Sequence, residues 1–230
     1  MITPYDWREN WKHKIFDGSF FFHRLIARRM KRDVLIVHTQ HLGLNSYEPR
    51  LAVLELMTRE IKNYGVEGSA AEVGVYRGKF AMMINHYLPE RKLYLFDTFE
   101  GFDERDAEAD RAGKFSTATE DFSRTSEELV LRKMEHPDKC IIRKGWFPET
   151  AEGIDDKFCF VSLDADLYQP ILAGLEYFYP RLSHGGVIMV HDFNNKLYNG
   201  VRQAVREFSD KNSVGYVCLP DECGTAVIVK

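Results

Sequence analysis

Short apolar runs, each stopped by an acidic residue or a glycine and each followed by a stretch of helical pattern, recur along the last two thirds of this chain. Residues 69–73 stop at Gly74, residues 92–96 at Asp97, residues 158–163 at Asp164, and residues 187–190 at His191-Asp192. Helical spacing is predicted at about 78–86, 125–136, 170–179 and 200–210, with a further short strand at 140–143. Strands alternating with helices imply a parallel sheet covered on both faces. The reading is therefore a Rossmann-like α/β sheet, mostly parallel. The last two apolar runs, 216–219 and 225–229, bracket Pro220-Asp-Glu-Cys-Gly224 and predict a C-terminal antiparallel hairpin.

Composition bounds what such a sheet can do. The chain has 230 residues, 44% of them hydrophobic and 29% charged, with a net charge of −4. That is enough chain to bury a core without disulfides or structural metal. A slight acidic excess argues against nucleic acid as the partner, because phosphate binding needs surplus Lys and Arg. The four cysteines form no Cys-x-x-Cys pair, which fits reduced thiols and a cytoplasmic protein. The polar N-terminus does not read as a signal peptide, and no apolar run approaches the ~20 residues of a membrane span. Two parts are expected: residues 1–67 as an N-terminal helical extension, serving as a cap or lid, and residues 68–230 as the cofactor-binding domain. In the first part, Phe22, Leu25, Ile26 and Met30 share a helix face, and the basic residues among them read as a solvated face. A second helix is expected from about Pro49 to before Gly65, with Leu51, Leu54, Thr58 and Ile61 at helical spacing.

Ligands of open α/β sheets sit outside the carboxyl ends of the strands, so the residues just past each apolar run are the candidates. The first turn is Glu72-Val-Gly-Val-Tyr-Arg-Gly78. Gly74 permits a sharp turn and Gly78 a closely packed helix. Tyr76 stands where a pyrophosphate-binding Gly-x-Gly-x-x-Gly turn has its second glycine, and Glu72 places negative charge where a phosphate would sit. Both disfavour a dinucleotide. They suit S-adenosylmethionine, which has no phosphate and carries a sulfonium and an ammonium group. Asp97 at the second strand end can accept both ribose hydroxyls, and Trp146 after Gly145 can stack on adenine.

Asp164-Ala-Asp166 follows the next strand. If the strand continues that far, residues two apart face the same way and both carboxylates enter one pocket. Close like charges need a cation or a shared proton. His191 and Asp192 arrive from the neighbouring strand, and such an oxygen-rich set suits a divalent metal such as magnesium. The competing role for the Asp pair is capping the helix that follows. The acidic stretch 103–110 reads as a solvated loop, part of a lid, and Thr125-Ser-Glu-Glu128 as a capping box opening a helix.

With these residues in place, the chain from about Glu48 onward resembles the macrocin O-methyltransferase (TylF-like) family of class I methyltransferases. The resemblance rests on residues 72–78, on Leu95-Phe-Asp-Thr-Phe-Glu-Gly-Phe102, on Lys144-Gly-Trp-Phe-Pro-Glu-Thr150, on Ser162-Leu-Asp-Ala-Asp-Leu-Tyr168 and on Gly186-Val-Ile-Met-Val-His-Asp-Phe193. A terminal antiparallel hairpin is also what separates the methyltransferase variant of the doubly wound fold from the dehydrogenase variant. The resemblance implies methylation of sugar hydroxyls with S-adenosylmethionine and a divalent metal. It assigns Glu72, Gly74, Val75, Tyr76, Gly78, Asp97, Thr98, Phe99, Gly145, Trp146 and Asp164 to the cofactor, and Asp164, His191 and Asp192 to the metal. Asp166 is the implied base. His191 stands where the best-known members carry Asp, and an imidazole favours softer ions than magnesium.

The expected acceptor is a small molecule or sugar. A catechol-like phenol also offers two adjacent oxygens and is the alternative. A nicotinamide-dependent oxidoreductase or a non-catalytic binding module would share the layered architecture. The N-terminal helices are expected to cover the site or to pack against another subunit of a homo-oligomer.

Overall fold

The structure, a computed structural model, describes residues 48–221 and 223–230. The helix expected over residues 21–32, and the rest of residues 1–47, lie outside the described residues. Contacts divide the chain into two compact units, Met1–Ala52 and Val53–Lys230. Helix α1 spans Glu48–Asn63 and buries Leu54, Thr58 and Ile61, as their spacing predicts. Among the described residues no helix is long and apolar enough to cross a membrane.

Among the described residues, seven strands form one sheet: β1 Ser69–Val73, β2 Leu93–Asp97, β3 Cys140–Lys144, β4 Phe158–Leu163, β5 Leu182–Val190, β6 Val217–Leu219 and β7 Thr225–Val229. Their order is β3-β2-β1-β4-β5-β7-β6. Strands β1 to β5 pair in parallel, while β7 runs antiparallel to both β5 and β6. The predicted hairpin is therefore present, with β7 tucked between β5 and β6. All of β1 and β4 is buried, as expected for central strands covered on both faces. Helices α2 Lys79–Tyr87, α3 Glu104–Gly113, α4 Glu127–Leu131, α5 Tyr168–Arg181 and α6 Asn199–Asn212 complete the layers. An aromatic cluster of Phe96, Phe147, Phe158 and Phe178, with ring centroids 4.9–5.9 Å apart in contacting pairs, anchors α5 to the sheet.

Three local expectations are corrected. The acidic stretch 103–110 is not a solvated loop. Asp103 caps helix α3 by accepting from the Arg105 amide, and Asp106 and Asp110 are buried. The capping residue of α4 is Ser126 rather than Thr125. Ser126 accepts from the Leu129 amide, while the Thr125 hydroxyl donates to the Tyr76 carbonyl. That helix also ends at Leu131, well short of residue 136.

Candidate active site

The first loop is organised by the second strand. Asp97 Oδ2 accepts from the amides of Val75 and Tyr76, both at 2.7 Å, and Oδ1 accepts from the Phe99 amide at 2.6 Å. The carboxylate thus shapes the turn where a ligand would lie. Gly74 has φ 81°, and a Cβ there would stand 2.1 Å from the Asp164 carbonyl oxygen. Strands β1 and β4 therefore end in near contact. Glu72 is buried in β1, level with Leu95 of β2 and Ser162 of β4. Gly78 opens α2 in the left-handed region, and the Thr98 hydroxyl donates to the Gly101 carbonyl. The Gly145 amide donates to the Asp97 carbonyl at 2.9 Å, extending the β2–β3 pairing.

Trp146 is tied to α3. Its indole Nε1 donates to Asp106 Oδ2 at 2.9 Å, and the Arg105 guanidinium lies 3.8 Å from its ring centroid. Burial pushes the Asp106 carboxyl up to about 6, from an ordinary 3.8, against the opposing Trp146 hydrogen bond. A raised folded-state pKa means stability that is present below 3.8 and lost as pH rises through about 6. Asp106→Asn keeps an acceptor for Trp146 and cannot ionise. At pH 7 it is expected to exceed the parent in stability by roughly 1–3 kcal/mol. Urea unfolding at pH 7 and again below pH ~4, where the gap should close, checks this.

The ends of β4 and β5 carry the densest charge. The Asp164 amide donates to the Val73 carbonyl at 2.8 Å and the His191 amide to the Leu163 carbonyl at 2.9 Å, so the strand ladder sets both residues side by side. His191 Nδ1 lies 3.0 Å from Asp164 Oδ1 and 2.9 Å from Asp192 Oδ2. Asn195 Nδ2 donates to Asp192 Oδ1 at 2.7 Å. The argument that Asp164 and Asp166 share a strand face fails, because β4 stops at Leu163 and Asp166 is left-handed at φ 60°. The carboxylates still converge: burial, with Asp192 and Asp164 close by, drives the Asp166 carboxyl well above the usual range. Burial works against the Asp192 carboxylate too, but the His191 hydrogen bond and charge hold it low. The Asp pair does not cap α5. The first amide of that helix, Tyr168, is bonded by Asp110 Oδ1 at 2.8 Å, and its N-cap Leu167 offers no side-chain acceptor.

Several site residues escaped the sequence reading. Tyr198 is buried at the start of α6, and burial, with Asp166 and Glu120 nearby, raises its hydroxyl. The 220–224 turn is bonded to the loop after β5: the Phe193 amide donates to the Gly224 carbonyl at 3.0 Å and the Asn194 amide to the Cys223 carbonyl at 2.8 Å. This brings Asp221 Oδ2 to 4.0 Å from His191 Nε2. It also places ligand atoms of His191, Asp192 and Cys223 within 4.8 Å of one another. A lone Cys between turn residues carries no motif, so only the β5–β7 pairing reveals it.

A sheet in this order, closed by an antiparallel strand and with acidic residues at the ends of β1, β2, β4 and β5, defines a class I methyltransferase. Residues 44–217 match the family model described as Macrocin-O-methyltransferase (TylF), and the chain belongs to that family. It is an S-adenosylmethionine-dependent O-methyltransferase, which sets aside the oxidoreductase and the non-catalytic binding module. It is 26% identical over 195 residues to the 8-demethyl-8-(2,3-dimethoxy-alpha-L-rhamnosyl)-tetracenomycin-C 4'-O-methyltransferase of Streptomyces olivaceus, covering 78% of this chain and 70% of that one. It is also 26% identical over 204 residues to the mycinamicin III 3''-O-methyltransferase of Micromonospora griseorubida, covering 82% and 77%. Among solved structures, the O-methyltransferase NovP has the same fold with a TM-score of 0.67, at 21% identity over 80% of each chain. The calicheamicin methyltransferase CalS11 gives a TM-score of 0.65 at 18% identity, covering 99% of this chain and 93% of that one.

Proposed function

We propose that this enzyme methylates a hydroxyl of a sugar, with a divalent cation at Asp164, His191 and Asp192 and with Asp166 as the base. The observation that carries the reading is the convergence of these four side chains at the ends of β4 and β5. Asp164 and Asp192 flank the His191 imidazole and Asp166 lies close to both carboxylates; the repulsion among the three carboxylates is what a divalent ion would relieve. Oxygen and imidazole donors fit such an ion. The acceptor class is supported by a relative whose name specifies a rhamnosyl-bearing natural product.

Bound S-adenosylmethionine supplies a methyl group on a cationic sulfonium, and a bound divalent ion lowers the pKa of an oxygen it touches. The chain does the rest. Glu72, Gly74, Val75, Tyr76 and Gly78 form the first wall of the cofactor pocket, with Asp97, Thr98 and Phe99 forming the second. Carboxylates there complement positive charge. Gly145, Trp146 and Asp164 complete the cofactor contacts. Asp166 accepts the proton that leaves the acceptor hydroxyl. His191 Nδ1 donates to Asp192 Oδ2 and lies 3.0 Å from Asp164 Oδ1, holding the ends of β4 and β5 together. Holding donor and acceptor in line supplies much of the rate.

Methyl transfer to a panel of deoxysugar-bearing and catechol acceptors, with and without chelator, tests the reading. Sugar acceptors should be methylated and catechols not. Chelator should abolish transfer while binding of S-adenosylmethionine persists, and Asp164→Asn should abolish transfer. Full activity in chelator removes the metal from the proposal, and preferential methylation of catechol removes the sugar.

A further inference from the structure

Beyond the four residues of the proposed centre lies a sulfur donor. Cys223 is partly buried in the turn between β6 and β7, and its ligand atom lies within 4.8 Å of those of His191 and Asp192. Its place is not accidental to a loose loop. Two backbone hydrogen bonds fasten residues 223 and 224 to Phe193 and Asn194. Gly224 sits at φ 72°, and a Cβ there would come within 2.6 Å of Asn194 Cβ, so the turn is pressed against the loop that follows β5. Asn195 Nδ2 spans the two sides, 2.7 Å from Asp192 Oδ1 and 3.8 Å from Cys223 Sγ. That amide orients both donors, as the outer residues of metal centres do.

We infer that the cation of this centre takes Cys223 as a ligand together with His191 and Asp192, and that the site is built for zinc rather than magnesium. The inference rests on the proposed metal centre and names its ion. Magnesium selects oxygen donors and seldom accepts a thiolate. Zinc accepts Cys sulfur at about 2.3 Å, His nitrogen at about 2.0–2.1 Å and carboxylate oxygen at about 2.0–2.2 Å. Three protein ligands leave a fourth position for an incoming oxygen, the arrangement of catalytic rather than structural zinc. Asp164 approaches the same imidazole from the side of β4, so a hard-ion set and a zinc set share His191 and Asp192. The thiol decides between them.

The test is spectroscopic and needs no turnover. The full chain, reduced and stripped of metal, is titrated with Co²⁺, and then with Zn²⁺ against a chromophoric chelator, Mg²⁺ serving as comparison. One Co²⁺ per chain should bind with a near-ultraviolet sulfur-to-cobalt charge-transfer band, and Zn²⁺ should displace it where Mg²⁺ does not. Cys223→Ser should lose the band and bind Zn²⁺ at least tenfold more weakly. Asp164→Asn should keep the band. In the unaltered chain, Zn²⁺ but not Mg²⁺ should slow alkylation of Cys223 as read by mass spectrometry, which needs no folded variant. Co²⁺ binding without the band, or a band that survives in Cys223→Ser, overturns the inference; the proposed centre then stands if Asp164→Asn weakens metal binding. Zinc bound through Cys223 in an enzyme fully active in chelator upholds the inference and overturns the catalytic role proposed for the metal. Failure to bind Co²⁺ or Zn²⁺ overturns the inference, and failure to bind Mg²⁺ as well overturns the proposed centre.

Discussion

Asp166→Asn is expected to lower kcat for methyl transfer by roughly 10²–10⁴-fold, the usual contribution of a positioned base. Affinity for S-adenosylmethionine should stay within a few-fold of the parent, since Asp166 is not among the residues proposed to hold the cofactor. The substitution is chosen for its backbone as well as its charge. Residue 166 sits at φ 60°, a region Asn enters more readily than most residues. It also removes one of three crowded carboxylates, so the variant should melt no lower than the parent. Loss of activity at unchanged melting temperature separates a chemical role from a structural one. Retained activity would remove Asp166 from the mechanism.

Gly74→Ala is expected to cost more than about 3 kcal/mol, through left-handed strain of ~1–2 kcal/mol together with a forced parting of β1 from β4. The added methyl would lie 2.1 Å from the Asp164 carbonyl oxygen and 2.6 Å from its carbon, and no side-chain rotation relieves a clash with backbone. At ~2–4 °C per kcal/mol for a chain of this size, the melting temperature should fall by roughly 10 °C. Gly153→Ala is the control. Its φ of 76° is nearly the same, yet nothing lies within 4 Å of the added Cβ. It should pay the strain alone. Equal losses in the two variants would show that the close approach at Gly74 carries no energy. The same displacement moves Asp164, so cofactor affinity should drop with stability at Gly74 but not at Gly153.

The strands and their acidic ends were legible because a buried parallel strand writes itself as an unbroken apolar run. Ser69–Val73, Phe158–Leu163 and Thr225–Val229 fall where the pattern places them. Helix α3 was not legible. Its sequence, Glu104-Arg-Asp-Ala-Glu-Ala-Asp-Arg-Ala-Gly113, has only alanines to mark an apolar face. What it buries is Asp106 and Asp110, whose partners Trp146, Ser116 and Tyr168 lie 40, 6 and 58 residues away. Long-range polar satisfaction leaves no periodicity to read. The convergence of Asp164 with Asp166 was expected for a reason that does not hold, since the strand ends before either. A left-handed turn at Asp166 stands where strand geometry was expected. Cys223 shows the opposite limit, a donor with no motif, delivered by strand pairing alone.

The fastening of residues 223 and 224 to Phe193 and Asn194 has a bearing on biogenesis. Translation is vectorial, so the segment that fastens Phe193 and Asn194 leaves the ribosome after the strands it docks against. Order of synthesis therefore places the docking of residues 223 and 224 after the appearance of Asp164, Asp166, His191 and Asp192.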